Sequence, residues 1–258
     1  MPAPNKRGKM REPGKADFMS TREPELEWLD GDVPHATGFG DTYFSKAGGL
    51  EETRHVFIGG NRLPERLPGR TGFTIAEFGF GTGLNFLTTL DMMATVEKAP
   101  DLTFLSFELY PLSADQLDRA LAAFPALSGY FDELLRAWAP VPGWNRMQIA
   151  GADLLLGIGD ARKMISDLVV ETGSKPIGRT AIPAVDAWYL DGFSPAKNPE
   201  LWDQDLLAKA ADLTAPAGTF ATYTAAGWVR RNLQAAGFTV EKKPGFAGKR
   251  EMIVGRKI

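Results

Sequence analysis

The residues best suited to chemistry are one glycine-rich turn and a short series of carboxylates. Glu77-Phe-Gly79-Phe-Gly81-Thr-Gly83 sits where the apolar run Thr74–Phe78 gives way to Leu84, Leu87, Leu90, Met93 and Ala94 at helical spacing. Glycines at such a turn accept positive φ and let a ligand approach the backbone, while the helix start offers unpaired N–H groups. A dinucleotide fingerprint would put its third glycine at position 84, which is Leu84. Glu108 and Asp160 each follow a further apolar run, where the first suits ribose hydroxyls and the second an adenine amino group. Asp191 opens the run Asp191-Gly-Phe193-Ser-Pro195-Ala-Lys197-Asn198-Pro199. A carboxylate there accepts an N–H from an amine and so aims its lone pair, and an aromatic face holds the attached ring. Each acid has a simpler alternative fate as a helix N-cap, and the proline-rich run as a loop that merely stops a strand.

These groups need a scaffold that brings them together. The spacing predicts strands at Thr74–Phe78, Leu102–Phe107, Leu154–Ile158, Val185–Leu190 and Thr219–Tyr223. Helices are predicted after the glycine turn, after Ser113 (with Gln116 a capping box), over Leu201–Leu213 and over Ala225–Ala236, stopped by Gly237. Strands separated by helices imply a mostly parallel sheet, and Thr239–Lys243 with Met252–Arg256 reads as an antiparallel hairpin at its edge. In such a sheet, acids at the carboxyl ends of strands converge on one crevice. Gly173–Pro183 reads as a loop. Residues 1–25 read as a flexible basic N-terminus, and Leu26–Arg70 as a short, turn-rich N-terminal extension.

Composition narrows the chemistry. With no cysteine there are no disulfides, thiolate metal sites, iron–sulfur clusters or thiolate nucleophiles, and His35 and His55 are too few for a histidine-rich metal site. No metal is therefore expected, and carboxylates, hydroxyls, backbone amides and a bound cofactor must carry the reaction. Of the 258 residues, 44% are hydrophobic, enough for a sizeable core, yet no stretch approaches the ~20 apolar residues of a membrane span. Lacking a secretory h-region, the chain is expected to be cytoplasmic, with no membrane partner. A net charge of −3 gives no global pull towards nucleic acid, although basic residues gather at both ends.

The acid-x-Gly-x-Gly-x-Gly pattern resembles the first motif of class I S-adenosylmethionine methyltransferases. Phe78–Phe86, Ser106-Phe-Glu108, Asp186–Glu200 and Gly245–Met252 together resemble the tRNA 5-methylaminomethyl-2-thiouridine methyltransferase family, and Gly40-Asp-Thr-Tyr-Phe-Ser45 resembles that family's N-terminal segment. The resemblance implies a Rossmann-like α/β fold over residues 26–258 and N-methylation of the aminomethyl group of a wobble uridine in tRNA. It places Glu77, Gly79, Gly81, Gly83, Asn85, Glu108 and Asp160 on S-adenosylmethionine and gives Asp191 the orientation of the amine. Many members are fused to a flavin-dependent oxidase. No second dinucleotide motif occurs here, so no FAD is expected, and a separate oxidase supplying the substrate is the partner implied.

Contacts to tRNA are less determined by the residues. Phe193, Trp228 and Phe246 are candidates for stacking on an extruded base, with core packing as the competing fate. Pro195 and Lys197 belong to the acceptor loop, and Arg230, Arg231, Lys249 and Arg250 are candidate phosphate contacts. Two other function classes fit the same motifs: a small-molecule amine methyltransferase or an aminopropyltransferase-like enzyme, and a non-catalytic RNA-binding adaptor.

Overall fold

The computed structural model describes residues 22–172, 178–248 and 251–258. The chain starts with an antiparallel meander, β1 (Leu26–Leu29), β2 (Val33–Ala36) and β3 (Asp41–Thr42). Helix α1 (Gly49–Thr53) runs straight into a wide π-helical turn at Arg54–Gly59, and α2 (Leu63–Arg66) follows. The alternating part then begins with β4 (Gly72–Phe78), α3 (Leu84–Met93), β5 (Asp101–Glu108), α4 (Ala114–Leu121) and α5 (Ser128–Ala137). It continues through β6 (Gly143–Ile149), β7 (Ala152–Ile158), α6 (Ala161–Met164) and a small parallel pair, β8 (Leu168–Val170) with β9 (Thr180–Ile182). The chain closes with β10 (Val185–Leu190), α7 (Gln204–Leu213), β11 (Thr214–Thr222), α8 (Gly227–Ala235), β12 (Phe238–Lys243) and β13 (Met252–Lys257).

Eight strands form the central sheet, in the order β12-β13-β11-β10-β4-β5-β7-β6. The five from β11 to β7 are parallel, as the spacing predicts, and the C-terminal hairpin is antiparallel. β13 lies between β11 and β12, so the last strand is internal to the sheet. The structure adds an edge that the periodicity does not predict: β6 pairs antiparallel with β7. Its sequence, GWNRMQI, mixes polar and apolar residues, and it is fully buried only at Ile149, so no continuous apolar stripe marks it. Part of the predicted 173–183 loop is strand β9, and residues 173–177 of it lie outside the described residues. The predicted helix Leu201–Leu213 begins later, because Asp203 caps α7 by accepting from Leu206 N at 2.7 Å after a 3-10 turn at Pro199–Trp202. Ser113 and Gln116 form the capping box at α4.

Parallel strands between two helical layers are buried on both faces, which explains runs such as VDAWYL in β10, buried at every position. Side chains alternate between two cores. Ile75, Phe104 and Tyr189 pack with α3 and α5, whereas Phe78, Leu105 and Trp188 pack with α7 and α8.

At the amino end of the sheet one carboxylate ties three elements together. Asp186 of β10 accepts from Thr74 N of β4 and from Arg70, both at 2.9 Å, and is 8% exposed. Asp186→Ala leaves the Thr74 N–H buried without a partner and is expected to cost about 1–3 kcal/mol. Urea denaturation would show this as a lower midpoint at unchanged m-value.

Candidate active site

Four neighbouring strands end level with one another. Leu190 pairs with Phe78, Phe78 with Phe107, and Glu108 with Ile158. The residues that follow or close these strands are Asp191, Gly79, Glu108 and Gly159-Asp160, set along one rim. With strands about 4.8 Å apart, Asp191 and Asp160 stand about 14 Å from each other across three spacings. A cavity of about 680 Å³ opens above this rim and is lined by Gly79, Gly81, Glu108, Asp160 and Asp191. The sheet reverses its winding between β4 and β10, and such a switch point is where open α/β sheets bind ligands.

Glu108 is bound into the floor of the cavity. Its Oε2 accepts from Gly81 N and its Oε1 from Tyr110 N, both at 2.8 Å. Burial pushes its carboxyl up, and N–H donors from Gly81, Tyr110 and Leu109 oppose that rise. Gly81 adopts φ +54, and a Cβ there would lie 3.1 Å from the ring of Tyr43. Gly79 adopts φ +78, and a Cβ there would lie 3.2 Å from Gly192 Cα. Glycine at 79 therefore lets the turn after β4 touch the turn after β10. Asp160 caps α6 through Arg162 N at 3.0 Å and pairs with the Arg162 guanidinium at 2.7 Å, which lowers its pKa. It is both a helix cap and a wall of the cavity.

Two residues of the glycine motif lie elsewhere than the resemblance implies. Glu77 is fully buried beneath the turn and is not on the cavity wall. It alternates into the core, accepting from Ser106 Oγ at 2.9 Å and Asn85 Nδ2 at 3.2 Å, and burial raises its pKa well above the usual carboxylate range. Gly83 is the N-cap of α3 at φ +74, and an added Cβ would strike Phe80 at 2.9 Å. Its role is local packing. Asn85 does line the cavity, with its side chain engaged on Asp191 Oδ2 at 2.7 Å.

The acceptor loop is covered by the N-terminal meander. Phe193 stacks on Phe39 with centroids 4.6 Å apart and meets Tyr43 edge-on at 5.3 Å. Asp41 accepts from Ser194 N at 3.0 Å, and Lys197 donates to Gly40 O and pairs with Asp41 at 3.8 Å. Pro195 is buried on the cavity wall, whereas Lys197 is exposed and turned to this clamp. Trp228 is away from the cavity: it packs against the α7–α8 core beside Val229 and Leu233, where α8 rests on the sheet. Phe246 packs against the other core, 6.1 Å from the His55 ring. Arg230 is half-buried and Arg231 exposed on α8, and Lys249 and Arg250 lie outside the described residues.

The structure also brings in residues that the spacing does not single out. Phe39, Tyr43 and Thr53 come from the N-terminal segment, and Tyr223 donates to Gly192 O at 2.8 Å behind Asp191. The aromatic run 40–45 is their only local signal. Phe39 and Tyr43 pack on Phe193, about 150 positions away, whereas Thr53 and Tyr223 bond to residues 32 and 31 positions away.

Comparison with known proteins agrees with this geometry. A family model described as S-adenosyl-L-methionine-dependent methyltransferase matches residues 125–258, just over half of the chain. The chain belongs to that family. This methyltransferase is 45% identical to the tRNA 5-methylaminomethyl-2-thiouridine biosynthesis bifunctional protein MnmC of Aeromonas hydrophila over 249 residues, 92% of this chain and 36% of that one. It is 45% identical to the protein of the same name from Nitrosospira multiformis over 237 residues, 89% of this chain and 36% of that one. The chain thus spans about a third of the length of the curated relatives it matches. The crystal structure of MNMC2 from Aquifex aeolicus superposes with a TM-score of 0.66 at 25% identity, covering 91% of this chain and 70% of that one. Among the described residues of this methyltransferase, no helix is long and apolar enough to cross a membrane.

The residues present fit S-adenosylmethionine. The cavity falls within the ~300–1,000 Å³ of small-molecule sites, glycines line its floor, and Glu108 retains acceptor capacity beyond its backbone donors. Gly81→Val would force a β-branched residue into φ +54 and drive its side chain against Tyr43. Calorimetry should show donor binding abolished in this variant. Binding of wild-type strength would remove the glycine turn from the donor site.

Proposed function

We propose that this methyltransferase transfers the methyl group of S-adenosylmethionine to the aminomethyl nitrogen of 5-aminomethyl-2-thiouridine at the tRNA wobble position. The observation that carries the reading is the 45% identity to an MnmC protein across 92% of the chain. The geometry is consistent with it. Asp160 and Asp191 follow the two outer strands of the rim, about 14 Å apart, and Glu108 stands one strand in from Asp160, so that Glu108 and Asp160 are the acceptors for the adenosine.

The sulfonium supplies an electrophilic methyl group, so orientation of the nucleophile is the chain's main task. A primary alkylamine has a reference pKa near ~10, so the site takes up mainly an ammonium and must release one proton before the nitrogen attacks. Asp191 accepts an N–H of the amine and fixes the direction of its lone pair. Its carboxylate also favours the charged amine, so its part is positional, with the proton leaving through water. Phe193, stacked on Phe39, offers an aromatic face for the uracil ring. Pro195, buried in the wall, holds the loop between them.

An extruded nucleotide is the natural substrate of such a recessed site, because a base inside a helix cannot reach it. The aminomethyl group must itself be exposed beforehand, by an oxidase activity in a partner or in a further domain. Lys249 and Arg250, together with Arg231 on the exposed face of α8, remain the proposed phosphate contacts.

Asp191→Ala is expected to keep donor binding and to lower methyl transfer by ~10²-fold or more. The assay uses labelled donor with tRNA that lacks only the final methyl, and mass spectrometry of the wobble nucleoside. Product on a free alkylamine with none on tRNA would favour a small-molecule acceptor instead. Donor binding without any transfer would favour an RNA-binding role.

A further inference from the structure

Asn85 is in the first turn of α3, 8% exposed, and every polar atom of its side chain is engaged within the protein. Its Nδ2 donates to Asp191 Oδ2 at 2.7 Å and to Glu77 Oε2 at 3.2 Å, while its Oδ1 accepts from Thr53 Oγ1 at 2.8 Å. With its nitrogen towards two carboxyl groups and its oxygen towards a hydroxyl, the amide has a donor–acceptor match at each contact. Both amide hydrogens are taken, which leaves Asn85 no donor to offer a bound cofactor.

Asp191 is held in part by this contact. It leaves the sheet at the end of β10 and precedes Gly192 at φ +110, so no helix or strand sets the direction of its side chain. The contact from Asn85 to Asp191 is shorter than that to Glu77, and it reaches Asp191 from the helix that follows the turn containing Gly79 and Gly81. Glu77 and Thr53 in turn brace the amide from below and from α1.

We infer that Asn85 is a positioning residue for Asp191: its amide anchors one carboxylate oxygen, fixes the carboxylate plane and so sets the direction from which the acceptor amine meets the methyl donor. The inference rests on the proposed amine methylation and gives Asn85 a part other than donor binding. It also predicts that the donor turn and the acceptor carboxylate behave as one unit, because a single side chain spans them.

The test is a double-mutant cycle on the full chain, with Asn85→Ala, Asp191→Ala and the pair, assayed on tRNA lacking the final methyl. Asn85→Ala is expected to lower kcat by ~10–10²-fold, with KM for tRNA and donor affinity changed by less than about threefold. In the Asp191→Ala background the same change should cost nothing further, because the interaction it removes is already gone. A merely structural role would instead give losses that add, and would raise KM and weaken donor binding together. Thr53→Val, which removes only the hydroxyl behind the amide, covers the case in which Asn85→Ala fails to fold. It should lower kcat by about threefold or more on its own and have no effect beside Asp191→Ala. Additive losses, or wild-type kcat in both Asn85→Ala and Thr53→Val, overturn the inference while the wild-type enzyme still methylates tRNA. Absence of transfer by wild type overturns the reading on which it rests.

Discussion

Four neighbouring parallel strands stop at one level because their registers are locked by buried pairs, and this alignment organises the site. Phe78 faces Leu190 on one side and Phe107 on the other, so a slip of one residue would turn both cores inside out. The rim residues inherit that precision. Asp191, Gly79, Glu108 and Asp160 are brought together by hydrogen bonding between strands rather than by nearness in sequence, across the 112 positions that separate Gly79 from Asp191.

Much of this could be read from residue order because each rim acid follows an apolar run, and a parallel sheet delivers the ends of such runs to one edge. Glu108 and Asp191 were legible for that reason. Glu77 was not, because its place in the motif is the same whether the side chain points into the crevice or into the core. Strand parity decides, and Glu77 shares its face with Ile75 and Tyr189. Trp228 shows the complementary limit: an aromatic residue on a short helix reads alike on either face, and Val229 and Leu233 take α8 to the sheet. The edge strand β6 carries no apolar stripe to reveal it.

The covering segment was the least legible part. Asp41, bonded to Ser194, and Tyr43, lying against Gly81, act over separations that no local pattern encodes. Glycine at 81 has two reasons to be there, its positive φ and the ring that occupies the space of a side chain. A similar economy appears at Asn85, where one amide joins Thr53, Glu77 and Asp191. The start of α3, the end of β4, the residue after β10 and the N-terminal segment are thus joined by polar contacts at and beneath the cavity wall.

The internal position of β13 bears on how the molecule assembles during synthesis. Its neighbours β11 and β12 are both made earlier, so a groove between them must stay open until Met252–Lys257 leaves the ribosome. Until then Ile253 and Met252 are missing from the two cores, and Glu251 from the cavity wall. Before β13 pairs, the edges of β11 and β12 that face it lack their hydrogen-bonding partner. The cavity wall is therefore completed only after β13 has joined the sheet, and nascent chains halted before that strand would carry the strands from β4 to β12 without Glu251 in that wall.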